Sequence, residues 1–289
     1  MVHVKKYLDK RFLFPLFAGF GVFLVVKLFF IDLVVVRSPG MQPALKQGEW
    51  VFIKRVFTPK RNDVVQISLP LSEKDSAQER SKSFKRIVGM PGDTVTIVNS
   101  RVYVNGKMSP ENALFLHNYI VKIKTQADTV LFAEAGVDEK YLIDDSCAYM
   151  LILNDKKFNE LQEAKKFASL LSTAEDVGLY DETVFPFNPG IKWNKDFMGP
   201  LYIPKKGDVL QLDTSNFRIY KRIICDLEGA AVRAQGNKLI QNQSDTLTSY
   251  TVKQNYYFVT GDNFDSSIDS RHWGFIPESR IKARLLLER

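Results

Sequence analysis

Hydrophobic and polar positions fall into three regimes along the chain. Phe12–Val26 carries no charge, and after Lys27 the apolar run resumes through Leu28–Ile31. As a helix, residues 12–31 span about 30 Å, the thickness of a hydrocarbon core. The run is apolar on every side, so a transmembrane anchor is expected, with Lys27 reaching the headgroups at its far end. Lys5, Lys6, Lys10 and Arg11 precede it and place residues 1–11 in the cytoplasm. The sequence Leu28-Phe29-Phe30-Ile31-Asp32 has no small-residue cleavage pattern, so the anchor is expected to be retained and the bulk of the chain to lie outside the cytoplasm.

The second regime is strand-like. Leu33–Val36, Trp50–Ile53, Val64–Ile67 and Val95–Val98 are short β-branched runs separated by turn formers such as Pro39-Gly40 and Pro91-Gly92-Asp93. Asn105-Gly106 after Val102–Val104 is a hairpin signal. From about residue 109 the pattern changes. Ala133–Tyr141 and Asn154–Ser172 carry Glu, Lys, Ala and Leu at helical spacing, which predicts an α/β insertion over 109–200. Strand patterns return at Tyr202–Leu212 and Arg218–Ile224. Residues 32–108 and 201–289 are therefore expected to form one mainly β, antiparallel system interrupted by the insertion.

Composition changes this picture little. With 45% hydrophobic and 25% charged residues, the chain as a whole has the composition of a globular protein. The net charge of +7 comes from scattered lysines and arginines without interleaved aromatics. That argues against nucleic acid and for a surface facing anionic lipid. Cys147, Cys225 and the three histidines show no metal-ligand spacing, and no phosphate-binding glycine loop occurs, so neither a metal nor a cofactor is expected.

Three stretches carry candidate chemistry: Ser38-Pro39-Gly40-Met41-Gln42-Pro43-Ala44-Leu45; Phe84-Lys85-Arg86-Ile87-Val88-Gly89-Met90-Pro91-Gly92-Asp93; and Gly261-Asp262-Asn263-Phe264-Asp265-Ser266-Ser267-Ile268-Asp269-Ser270-Arg271-His272-Trp273-Gly274. In this order behind an anchor, they resemble bacterial signal peptidase I, a membrane-bound serine endopeptidase that removes signal peptides from exported preproteins. Tyr202-Ile203-Pro204-Lys205-Lys206-Gly207-Asp208 is similar to the form of that family found in Bacteroidetes.

The resemblance implies the signal peptidase/LexA-like β fold, signal peptides and membrane lipid as partners, and a bacterial inner-membrane location with the main domain periplasmic. It further implies a Ser–Lys dyad in which a buried, neutral lysine takes the proton of an attacking serine. Lys85 matches the general base, Ser267 the serine that orients it, Ser38 the hydroxyl that assists the oxyanion, and Asp269 with Arg271 a supporting ion pair. Met41 and Pro43 match substrate-contacting positions. The nucleophile position, directly before Met41, is Gly40. Pro39, Ala44, Phe264 and Ser266 also stand where glycine, threonine, arginine and asparagine are usual. The expectation is a catalytically impaired relative that still binds signal peptides or assists an active paralogue. Two alternatives stay open at this point: an active enzyme using Ser38 as a displaced nucleophile, and a non-enzymatic scaffold built on the insertion.

Overall fold

The computed structural model describes residues 13–21, 30–69, 81–137, 140–144, 147–242 and 245–286. Residues 13–21 are helical, but no helix among the described residues is long and apolar enough to cross a membrane. The expected anchor, including Lys27, lies partly outside the described residues, and the basic positions before it lie wholly outside them.

A seven-stranded sheet supports the candidate site. Its strands, in spatial order, are Ile31–Val35, Trp50–Lys54, Ile281–Leu285, Val64–Ser68, Lys82–Gly89, Tyr256–Thr260 and Ile276–Pro277. All neighbours are antiparallel. Lys82–Gly89 and Tyr256–Thr260 are interior strands, buried on both faces from Phe84 to Gly89 and throughout Tyr256–Thr260. Continuous apolar runs such as Tyr-Tyr-Phe-Val suit such a position better than alternation does.

A second sheet joins Met198–Tyr202, Thr94–Val98, Arg101–Val104 and Lys107–Met108. Its hairpin turns at Asn105 (φ 52°) and Gly106 (φ 77°). Both residues are left-handed, as a type I′ turn requires. The main core is shared by this sheet and the C-terminal segments, with Phe115, Phe185, Phe258, Phe264 and Phe275 all fully buried.

Within 109–200 the sheet Ser169–Ser172, His117–Lys122, Ala148–Leu153, Lys140–Asp144 encloses its own core around Tyr119, Val121, Phe132 and Leu151. Helices here are shorter than the spacing predicts. Val130–Glu134 and Asp155–Ala164 are helical, but Lys140–Asp144 and Ser169–Ser172 are strands. The longer helix ends where Lys165 turns left-handed at φ 50°. A larger correction falls at Arg218–Ile224, expected as a strand. Phe217–Lys221 is an α-helix continuing into a π-helix over Arg222–Leu227. Burial of Ile223, Ile224 and Cys225 against the main core selects the helix, and tertiary packing overrides the β preference of the isoleucines.

Candidate active site

Lys85 lies mid-strand in Lys82–Gly89, opposite Val65, with its neighbour Arg86 opposite Thr260. Its side chain is only 2% exposed. Gly40 lies in a short 3-10 turn, Pro39–Met41, that begins with a proline and closes by Gln42 N–H donating to Pro39 O at 3.0 Å. Asn263 N–H donates to Gly40 O at 3.2 Å and ties this turn to the 261–274 segment. The three stretches singled out in the sequence thus meet at one point. A Cβ built on Gly40 would lie 3.3 Å from Lys85 Nζ and 3.5 Å from Ser267 Oγ. Gly40 does not have the positive φ that would demand glycine, so a side chain is compatible with its backbone.

Burial pushes the Lys85 ammonium down to about 8. Asp269 and Asp262 pull it back up, and Arg271 pushes it further down. Charge balance gives the same answer. Arg86 and Asp262 form one buried pair, and Arg271 and Asp269 another, with all four side chains at most 2% exposed. These charges cancel, so a protonated Lys85 would be a fifth, uncompensated charge in a dry cluster. Lys85 therefore becomes neutral at about pH 8, far below an ordinary lysine, so a minority of neutral amine is present at pH 7 and most of it above pH 8, as a general base needs. The Trp273 ring lies 5.8 Å from its Nζ.

The ion pairs are better built than surface pairs. Arg86 is bidentate on Asp262 at 2.8 and 2.7 Å, and its Nη1 also donates to the Asn62 carbonyl and side-chain oxygens at 2.9 Å. Asp269 receives Arg271 Nε and Nη2 at 2.9 and 2.8 Å, and Gly261 N–H at 3.0 Å. Burial alone would raise the Asp269 carboxyl, but the Arg271 guanidinium overcomes it and holds the group below the usual range. The Arg271 guanidinium also sits 3.6 Å above the Phe264 ring. Phe264, where an arginine is usual, thus stacks on an existing arginine.

Ser267 reaches the site from beneath the turn. Its Oγ is buried and finds no hydrogen-bond partner among the described residues, so no such bond joins it to Lys85 here. Met41 is 1% exposed within the apolar cluster of Val36, Leu45, Ile53 and Phe84, which places it under the turn as a support. Pro43 is exposed beside the site. Ser38 is also exposed, and the 3-10 turn after it removes the strand geometry that would aim its hydroxyl along the face of Gly40. No hydrogen bond joins Ser38 to Lys85 among the described residues.

Arg86, Asp262 and Gly261 lie within the singled-out stretches but, like Asn62, have no role legible from the sequence. Arg86 and Asp262 are 176 positions apart, and the pairing of Lys82–Gly89 with Tyr256–Thr260, which ends just before Asp262, brings them together. Gly261 is required by contact. A Cβ there would fall 2.2 Å from both Gly40 O and Ser267 Oγ. Gly261→Ala should therefore displace the 39–41 turn and destabilise the fold by about 1–3 kcal/mol in denaturant titrations. A loss below a few tenths would show that this contact relaxes freely.

The family profile described as signal peptidase, peptidase S26, matches residues 10–151 and 197–287, which include every residue of the site. Signal peptidase I of Buchnera aphidicola subsp. Schizaphis graminum is 22% identical over 94% of this chain and 72% of its own length. Signal peptidase I of Bacillus amyloliquefaciens is 27% identical over 53% of this chain and 76% of its own. That of Streptococcus pneumoniae serotype 4 is 32% identical over 36% of this chain and 50% of its own. With most of its length matched in two blocks that both converge on Lys85, the chain belongs to the signal peptidase I (peptidase S26) family.

Proposed function

We propose that this chain is a membrane-anchored signal peptidase I-type protein that engages the signal peptides of exported preproteins, with its own hydrolysis strongly impaired at Gly40. The reading is carried by the 3.3 Å between Lys85 Nζ and the point where a Gly40 side chain would begin. The base is in place, and the atom it would deprotonate is missing. Lys85 acts as the base-position residue, Ser267 stands beside it, and the Asp269–Arg271 pair holds the 261–274 segment. Water reaching Lys85 lacks the positioning that a covalently held hydroxyl would have, so hydrolysis stays at trace level. An extended signal-peptide segment binds beside the exposed Pro43, through main-chain hydrogen bonds and small side-chain pockets.

The apolar surface near the N-terminus supports the membrane location. Leu33 pairs with Phe52 and Val35 with Trp50 in the first two strands. Leu33, Trp50 and Phe52 are 42%, 65% and 52% exposed. A contiguous apolar face bearing a tryptophan suits the headgroup boundary. Gly40 follows the expected span by about ten residues, which keeps the site close to that boundary, where the apolar helix of a signal peptide ends. Residues 109–200 form an insertion in this reading. The 202–208 stretch and the set of changes around Gly40 suit a Bacteroidetes-type member that lost its nucleophile and works beside an active paralogue.

The test is photo-crosslinking of a preprotein to the full chain in membranes, paired with a cleavage assay of wild type against Gly40→Ser. Crosslinking at the signal peptide, with cleavage only by the serine form, is the expected result. Equal cleavage by both forms would overturn the impaired-enzyme reading, and absence of crosslinking would overturn signal-peptide binding.

A further inference from the structure

Away from Lys85, a cavity of about 800 Å³ opens between the 185–188 loop, the helix beginning at Phe217 and the Val232–Gln235/Lys238–Gln241 hairpin. Arg218, Lys221, Arg222 and Arg233 line it, and Asp226 is the one carboxylate among the described lining residues. Arg218, Lys221 and Arg233 are exposed and have no ion-pair partner among the described residues. They come from two separate elements, so their convergence is a tertiary feature and not a run of basic sequence.

Two departures from regular geometry occur at the same walls. Phe187 is a bulky, half-exposed aromatic residue held at φ 59°, a left-handed conformation that aromatic side chains rarely adopt. The helix widens to a π-helix from Arg222 to Leu227, a form that concentrates at functional sites. Between these walls, Arg218 Nη1 lies 2.7 Å from the Cβ position of Gly190, so its guanidinium is held against a loop position with no side chain. Asn188 Oδ1 accepts from Gly190 N at 3.0 Å and shapes that loop. Phe185 and Phe217 provide an apolar floor.

We propose that this cavity binds a phosphate-bearing anion. Arginine forks match phosphate oxygens, and like charges gathered around one concavity with a single carboxylate to offset them are relieved by a bound anion. The floor is aromatic and the polar groups converge at the rim, as in small-molecule sites. The same chemistry suits a soluble phosphate compound or the headgroup of an anionic lipid.

The full chain in neutral detergent is titrated calorimetrically with pyrophosphate, with short-chain phosphatidylglycerol and with the matching phosphatidylcholine. Arg218→Glu/Arg233→Glu is compared with Lys107→Glu/Lys206→Glu, which makes the same change of net charge at exposed positions elsewhere. Saturable binding of pyrophosphate, weakened about tenfold or more by the arginine pair and little by the lysine pair, identifies a soluble ligand. Binding of phosphatidylglycerol alone, with the same dependence on the arginines, identifies a lipid headgroup. Absence of binding to both anions, equal loss in the two double variants, or equal binding of phosphatidylcholine overturns the site. Unchanged circular dichroism and thermal midpoint certify that the variants are folded, and a misfolded arginine pair is replaced by Arg218→Gln/Arg233→Gln, for which the same outcomes apply.

Discussion

Gly40→Ser is expected to raise preprotein cleavage by at least about 10³-fold. Removing a serine nucleophile from a working serine protease lowers kcat by about 10⁶. Restoring it here should not recover that whole factor, because Pro39, Ala44, Phe264 and Ser266 also depart from the usual pattern. The local geometry permits the gain. The added Cβ lies 3.3 Å from Lys85 Nζ, a tight contact that the flexible end of the lysine relieves by a few tenths of an ångström. The hydroxyl then lies within reach of the amine. Because Lys85 titrates near 8, cleavage by the serine form should climb through that pH as the neutral amine accumulates, by roughly an order of magnitude between pH 7 and 9. Lys85→Ala in the Gly40→Ser background should return cleavage to the trace level. Cleavage by Gly40→Ser that is flat from pH 6 to 9, or that survives Lys85→Ala, would remove Lys85 as the base. The same titration has a sign for stability. Folded Lys85 releases its proton more readily than unfolded lysine, so its burial penalty is largest below pH 8 and fades between about 8 and 10.4.

Asp262→Ala is expected to lower stability by about 3–5 kcal/mol, a large part of the total for an ordinary domain. The variant leaves Arg86 buried with its bidentate acceptor gone, while its Nη1 still donates to the Asn62 oxygens. It also removes a carboxylate that raises Lys85, so the lysine should titrate below its present value. Replacing both partners, as in Arg86→Met/Asp262→Leu, should recover much of the stability, because an apolar pair carries no desolvation cost. Equilibrium denaturation of the three proteins measures this. A single-variant loss under about 1 kcal/mol would mean that the pair is solvated when the chain is free in solution.

The β character, the hairpin at Asn105-Gly106 and the three chemical stretches were legible because they are local. A turn needing two left-handed residues leaves Asn-Gly in the sequence, and short β-branched runs mark strands wherever they pack. Burial outweighed local preference at Arg218–Ile224, where a helix stands in place of the expected strand, and at Lys140–Tyr141 and Ser169–Ser172 sheet pairing stands in place of the expected helix. That residue 40 is a glycine was also visible in one dimension, and a glycine cannot supply a nucleophile in any fold.

What the chain order could not show is the state of Lys85. Its lowered proton affinity comes first from burial, among two arginine–carboxylate pairs that cancel each other, one of which joins residues 176 positions apart. The requirement for glycine at 261 is of the same kind, because it arises from the approach of Gly40 and Ser267, which no spacing rule encodes. The sequence alone determined which residue types meet at the site, a glycine at position 40 among them. Tertiary structure decided their distances, burial and charge balance, because pKa and contact depend on what surrounds a group in space, and a sequence records only what precedes and follows it.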